Sequence, residues 1–352
     1  MKGKQGLVCM GLLLVLSSCH TGKQITASGL QRKDFQTEVN GQHTDLFTLS
    51  NKQGMEVCIT NYGARVVSIL VPDRNGKRED VVCGFSTITE YMEQRQNFGS
   101  TVGRYIGRIL NARFTLDGVE YKLVPNNGKS GHISHGGNPG FADRIWKVEQ
   151  ADTHRVCLSY LSPDGENGFP GNLKVTLVYS LGEDDNALDL TYEATTDAPT
   201  VLNLSHHSFF NISGNFTKSV EDQQLWVDAD RFTPYDDKKC VTGEYLPVAG
   251  TPLDFRMPHT IGECIDADHP QLKVVNGYDH TWELNTKGDD TRPAAWVYDP
   301  ASGRKMEIFT TEPGMQIYTG NGLKGKMTGK GGIAYPFRSA VCFETMHFQD
   351  SP

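Results

Sequence analysis

Leu173-Lys174-Val175-Thr176-Leu177-Val178-Tyr179 places Leu, Val, Leu and Tyr at alternate positions, and Leu188-Asp189-Leu190-Thr191-Tyr192-Glu193-Ala194 alternates apolar and polar residues throughout. Period-two alternation turns one face of a strand to a core and the other to water. From about Phe35 onward the chain keeps to short runs of this kind, with little sustained helical periodicity. A helix is expected only in short pieces such as Thr87 to Gln94. Turn dipeptides recur at Asn75-Gly76, Asp117-Gly118, Asn127-Gly128, Asn276-Gly277 and Asn321-Gly322, the pattern of tight connections between antiparallel strands. No composition break, long linker or internal repeat interrupts residues 35–352. The fold class this predicts is all-β, one large antiparallel β-sandwich.

The N-terminus follows a different pattern. Lys2 and Lys4 precede an apolar run from Leu7 to Leu16, too short to span a bilayer as a mature helix. The run ends in Leu16-Ser17-Ser18-Cys19, which resembles a bacterial lipobox. Residues 1–18 therefore read as a lipoprotein signal peptide and Cys19 as a lipidated membrane anchor. Residues 19–34 read as a tether and 35–352 as the folded domain, held in the bacterial cell envelope. An ordinary secretory signal with an incidental Cys19 is the alternative.

Composition narrows the partners. The formal charge of -8 falls by two more if Lys2 and Lys4 leave with a leader, which argues against nucleic acid and against phosphorylated substrates. Beyond Cys9 and Cys19, the six cysteines (Cys58, Cys83, Cys157, Cys240, Cys264, Cys342) are scattered singly, so buried free thiols are expected rather than a disulfide framework. No phosphate loop, dinucleotide fingerprint or metal motif is present, and no cofactor is expected. His132 and His135 lack a third and fourth ligand for zinc.

Three polar islands stand out: His135-Gly136-Gly137, the segment from Asn203 to Asn211 with His206 and His207, and Cys342-Phe343-Glu344-Thr345. Taken alone, His207 fits a core histidine bonded to a backbone carbonyl as well as it fits a general acid. Glu344 interrupts an apolar strand, where a charge is costly unless paired or used, though it could also face water at a sheet edge. Asp279 could cap its own turn after Asn276-Gly277.

Together with Gly103-Arg104, Arg108-Ile109, Ser162-Pro163-Asp164-Gly165 and Gly277-Tyr278-Asp279-His280, these islands resemble the aldose 1-epimerases, or galactose mutarotases, over nearly the whole mature chain. The resemblance implies a twisted sandwich that interconverts the α and β anomers of free aldohexoses without a cofactor. It implies His207 as general acid, Glu344 as base, and Arg108, His135, Asp279 and Glu312 as sugar ligands. Rival functions are a sugar-binding protein on the same fold and a hexose-phosphate epimerase. The segment from Ser162 to Gly171 matches the family but reads as a structural loop. Departures from the family pattern fall at Gly107, His206, Met346 and Gln349. Relatives also continue beyond Asp350-Ser351-Pro352, which would leave an open sheet edge at the end of this chain.

Overall fold

The computed structural model describes residues 24–352; the leader and Cys19 lie outside the described residues. Four antiparallel sheets of four or six strands build the domain, with four two-stranded sheets beside them among the described residues. One is made of Leu46–Ser50, Glu56–Thr60, Arg65–Pro72 and Arg78–Asp80, and a second of Lys147–Ala151, Arg155–Ser162, Leu173–Leu181 and Leu188–Thr196. Their inner faces meet through Val57, Ile59, Leu158, Val175, Leu177 and Tyr179 around the fully buried Trp146. Strand Leu173–Leu181 shows how the alternation works: Leu173, Val175, Leu177, Tyr179 and Leu181 are all buried while Lys174 is exposed. Each buried aliphatic side chain contributes roughly 1.5–3 kcal/mol relative to exposure.

The third sheet is six-stranded and carries the site. Its order is Phe209–Phe210, Val341–Met346, Gly314–Tyr318, Asp279–Leu284, Ala229–Thr233, Leu246–Pro247. The fourth, His259–Thr260, Gln224–Val227, Ala295–Tyr298 and Lys305–Ile308, packs on it through Leu225, Val227 and Val297 around Trp282. Phe210 packs against both cores and joins the two halves.

The short helix falls where expected, at Ile88–Gln94. Thr87 accepts from the Glu90 amide and the Glu90 side chain returns the bond, a complete capping box. A second helix, Pro270–Val275, was not anticipated; Asn276 ends it in the left-handed conformation at φ 61°. Of the turn dipeptides, Asp117-Gly118 and Asn75-Gly76 do link paired strands. Asn127-Gly128 leads into a 3₁₀ turn, and Asn321-Gly322 lies in a loop.

Two boundaries differ from expectation. Packing begins before Phe35: Thr26 and Leu30 are buried, Ile25 bridges Gln31, and the Ala27 amide donates to Glu56 at 2.7 Å. Residues 24–34 therefore belong to the folded domain, because Leu30 joins the core around Phe35 and Tyr91. At the other end, strand Val341–Met346 lies inside its sheet between Phe209–Phe210 and Gly314–Tyr318. The residues after it are tied down, with Asp350 bonded to Arg108 O and the Leu110 amide, and Ser351 to the Tyr105 hydroxyl. All six cysteines among the described residues are unpaired thiols, three of them buried.

Candidate active site

Strand register assembles the central pair. Phe209 pairs with Cys342 in an antiparallel ladder, and the strand just before it, Ser205–His207, pairs with Ser100–Val102 and packs beside Val341–Met346, which brings His207 next to Glu344. His207 Nε2 lies 3.4 Å from Glu344 Oε1, and both side chains are buried. The next strand places Gln316 beside Glu344 and Tyr318 beside Cys342, and the one after it places Thr281 beside Gln316 and Asp279 beside Tyr318. Side chains two residues apart share a face, so one face of the six-stranded sheet presents Glu344, Gln316, Asp279 and Tyr318 together.

Loops close the other side. Arg108 pairs with Ser134, and the His135 amide donates to Gly107 O at 2.9 Å, which brings Gly107, Arg108 and His135 over that face. His135 itself has φ 52°, and an added Cβ on Gly136 would sit 1.9 Å from Gly103 O. Only glycine allows that approach. The loop is braced from behind. Asn167 donates to Gly136 O and Pro139 O, and the buried Arg104 donates to Ser162, Pro163 O, Pro170 O and Thr200. The structural reading of the 162–171 segment accounts for these bonds.

The resulting cleft holds about 290 Å³ and is lined by His207, Glu344, Arg108, His135, Asp279, Gln316, Tyr235, Tyr318, Gln96, Asn97, Met346 and Gln349 among others. Five of the expected site residues thus converge on it. Glu312 does not: it lies on the loop before Gly314–Tyr318, pairs with His347 Nδ1 at 2.6 Å, and is absent from the cleft wall. Sequence reasoning missed Gln316, whose Nε2 donates to Asp279 Oδ1 at 2.6 Å. A lone amide inside the apolar run Met315-Gln316-Ile317 is the same kind of signal that singled out Glu344. His206 takes the opposite face of its strand, bonded to Ser208 at 2.6 Å and edge-on to Tyr179. Its neighbours place it behind the cleft.

Burial sets the proton inventory. It pushes the Glu344 carboxyl up to about 8, with Asp279 adding to the shift and Arg108 opposing it. It pulls His207 down to about 4, with the histidine's own backbone carbonyl opposing and Arg65 adding. At neutral pH the pair therefore carries one proton, on the carboxyl, and His207 is neutral. His135 is lowered to about 3 by burial, with His207 and Arg108 adding. Its Nδ1 faces the Gly107 amide at 3.4 Å, which leaves Nε2–H as a hydrogen-bond donor. Asp279 is raised by burial and held down in part by Arg108.

His207, Cys342 and Glu344 cluster closely enough to raise the question of a metal. Cys342 Sγ meets His207 at Nδ1, 3.6 Å away, whereas Glu344 meets it at Nε2. The two ring nitrogens point apart, and burial holds the thiol well above its usual range, so these groups do not converge as a ligand set. His132 faces Cys240 and the Asn111 amide rather than His135.

A family model described as aldose 1-epimerase matches residues 45–352. The galactose mutarotase of Sus scrofa is 38% identical over 305 residues, covering 87% of this chain and 86% of its own. The aldose 1-epimerase of Escherichia coli K12 is 35% identical over 89% of each chain. Among solved structures, an aldose epimerase homologue from C. elegans superposes with a TM-score of 0.80 at 30% identity, covering 88% of this chain and 91% of its own. A galactose 1-epimerase from Lactobacillus acidophilus gives 0.78 at 29% identity, covering 89% of each. Sequence match, fold and the composition of the cleft agree, and the chain belongs to the aldose 1-epimerase family.

Proposed function

We propose that this enzyme interconverts the α and β anomers of free aldohexoses such as galactose and glucose, with His207 and Glu344 as its acid–base pair. The observation that carries the reading is the contact at 3.4 Å of two buried side chains in a cleft that also offers Arg108, His135, Asp279 and Gln316 to hydroxyl groups. Anomer exchange needs one group to take the C1 hydroxyl proton and another to protonate the ring oxygen. A pair holding one mobile proton fits that requirement, because the states Glu-H/His and Glu⁻/His⁺ differ only by transfer across the contact.

The cycle starts when the proton passes to His207 Nε2 and the Glu344 carboxylate accepts hydrogen bonds from the bound sugar. Glu344 then takes the C1 hydroxyl proton while His207 donates to the ring oxygen. The bond from C1 to the ring oxygen breaks and an aldehyde forms at C1. Rotation about the C1–C2 bond presents the other carbonyl face. Re-closure reverses both transfers and returns the proton to His207. The His135 Nε2–H donor steadies the ring oxygen as charge moves.

Among the described residues Arg108 is the only Lys or Arg in the cleft wall, and it faces Asp279 and Glu344. A phosphate dianion in the cleft would meet two carboxyl groups and the Arg108 guanidinium, with Lys239 near enough to act on Asp279 but outside the wall, a balance that favours unphosphorylated sugars. Polarimetry of freshly dissolved α-galactose and α-glucose, with the spontaneous rate subtracted, tests the proposal. Acceleration of both is expected. No acceleration would leave a sugar-binding protein, and preferential turnover of glucose 6-phosphate would overturn the substrate class.

The leader-like N-terminus supports a further reading, that Cys19 carries a lipid and fixes the enzyme in the cell envelope, where free sugars released from glycans would meet it. Cys19→Ala should then shift the protein out of the membrane fraction or stop its processing. Unchanged fractionation and mass would remove the anchor from the account.

A further inference from the structure

Gly107 and Gln349 compete for one space at the cleft. Gly107 sits at φ 75°, and a Cβ built there would lie 2.6 Å from Gln349 Cγ and 3.2 Å from Met346 Cε. The absence of a side chain at 107 leaves that space to Gln349, whose side chain is buried in the cleft wall.

The orientation of the Gln349 amide is fixed by a relay that starts at Asp279. An ionised carboxylate only accepts hydrogen bonds, so Gln316 must turn its Nε2 to Asp279. Gln316 Oε1 then faces Thr281 Oγ1 and Gln349. Gln349 must answer with its Nε2, which donates to Gln316 Oε1 at 3.2 Å and to the Tyr235 hydroxyl at 2.8 Å. Both N–H groups are used. Gln349 Oε1 accepts nothing among the described residues and is not sealed from solvent, so the amide offers the cleft an oriented acceptor and no donor.

We propose that Gln349 is a specificity-determining substrate contact whose Oε1 accepts a hydrogen bond from one hydroxyl of the bound sugar. The assignment rests on the aldose 1-epimerase reading and deepens it. An acceptor fixed this way favours a hydroxyl at that position over hydrogen or an ether, since only the hydroxyl can donate. Because the contact is the same with either anomer and with the open chain, it acts on binding more than on the chemical step.

The test is a cycle between enzyme and substrate, run on the full chain with galactose, glucose and the monodeoxy glucoses. Gln349→Met, close in size but without the amide, should raise KM for the parent sugars by about 3- to 10-fold, the range of one neutral hydrogen bond, with kcat within about twofold. One deoxy sugar should be correspondingly poor for the wild type, and for that sugar alone the Gln349→Met variant should add no further loss. A uniform KM shift across the series, or none, would overturn the contact.

If Gln349→Met fails to fold, the packing competition supplies a second readout. Asn tolerates positive φ, so Gly107→Asn should lower the unfolding temperature alone and recover it when combined with Gln349→Ala. Additive losses would refute the shared space. Should the wild type show no anomer conversion, the functional reading itself fails. Should it convert sugars without the coupling, only the Gln349 assignment does.

Discussion

Glu344→Gln and His207→Asn should each lower kcat by about 10²-fold or more while leaving the protein folded. Each positioned proton transfer is worth roughly 10² to 10⁴ in rate. Gln keeps the shape of Glu344 but cannot accept a proton, and Asn cannot shuttle one. The two groups touch at 3.4 Å and act as one proton-holding unit, so the double variant should lose little more than the worse single. Asp279→Ala should act differently. Its carboxylate contacts Gln316, faces Arg108 and reaches Glu344 only through its charge, and its contacts to hydroxyls are equally good before and during ring opening. Its loss therefore belongs mainly in KM. A purely structural His207, stacked on Phe209 at 5.1 Å, would make another forecast: activity would track the folded fraction. Unfolding temperature and polarimetric rate measured on the same His207→Asn sample separate the two. A folded variant with near-wild-type rate would remove His207 from the mechanism.

Strand alternation made the sandwich legible, as at Leu173–Leu181, because period two is a local property of the sequence. The site residues were nameable one by one, but their meeting was not. His207 and Glu344 meet because Ser205–His207, held by Ser100–Val102, packs beside Val341–Met346 just where Phe209 pairs with Cys342, a contact between distant parts of the chain that no local pattern encodes. Gln316 carries a local signal, a polar residue in an apolar run, but its role shows only where it stands beside Glu344 and Thr281 in the sheet. Glu312 was misplaced by a few residues: the chain reaches the cleft at Gln316, after it has entered the strand that starts at Gly314. The N-terminal boundary was set late because residues 24–34 look polar, yet Leu30 and Thr26 supply enough packing to fix them on the core. The departures at Gly107, Met346 and Gln349 looked like three separate defects in sequence. In the structure they border one space, since a Cβ at 107 would meet both Gln349 and Met346, and Gln349 fills the space that Gly107 opens.

The pH dependence of kcat/KM follows from the same pair and reaches the central claim most directly. Glu344 lies at about 8 and His207 at about 4; since the groups are coupled, these limits belong to the pair. Below the lower limit the pair gains a second proton, Glu344 cannot become the base, and the rate falls. Above the upper limit the single proton leaves, no acid remains, and the rate falls again. Between them the singly protonated pair persists in either tautomer. The free enzyme's profile, corrected for spontaneous mutarotation at every pH, should therefore be flat from about 5 to about 7. It should drop by about tenfold per pH unit beyond each limit. The break near pH 8 should disappear from the residual activity of Glu344→Gln, which keeps only the titration of His207 itself. A wild-type rate still level well above pH 9, or a break near pH 8 that survives in Glu344→Gln, would contradict a proton shared between His207 and Glu344.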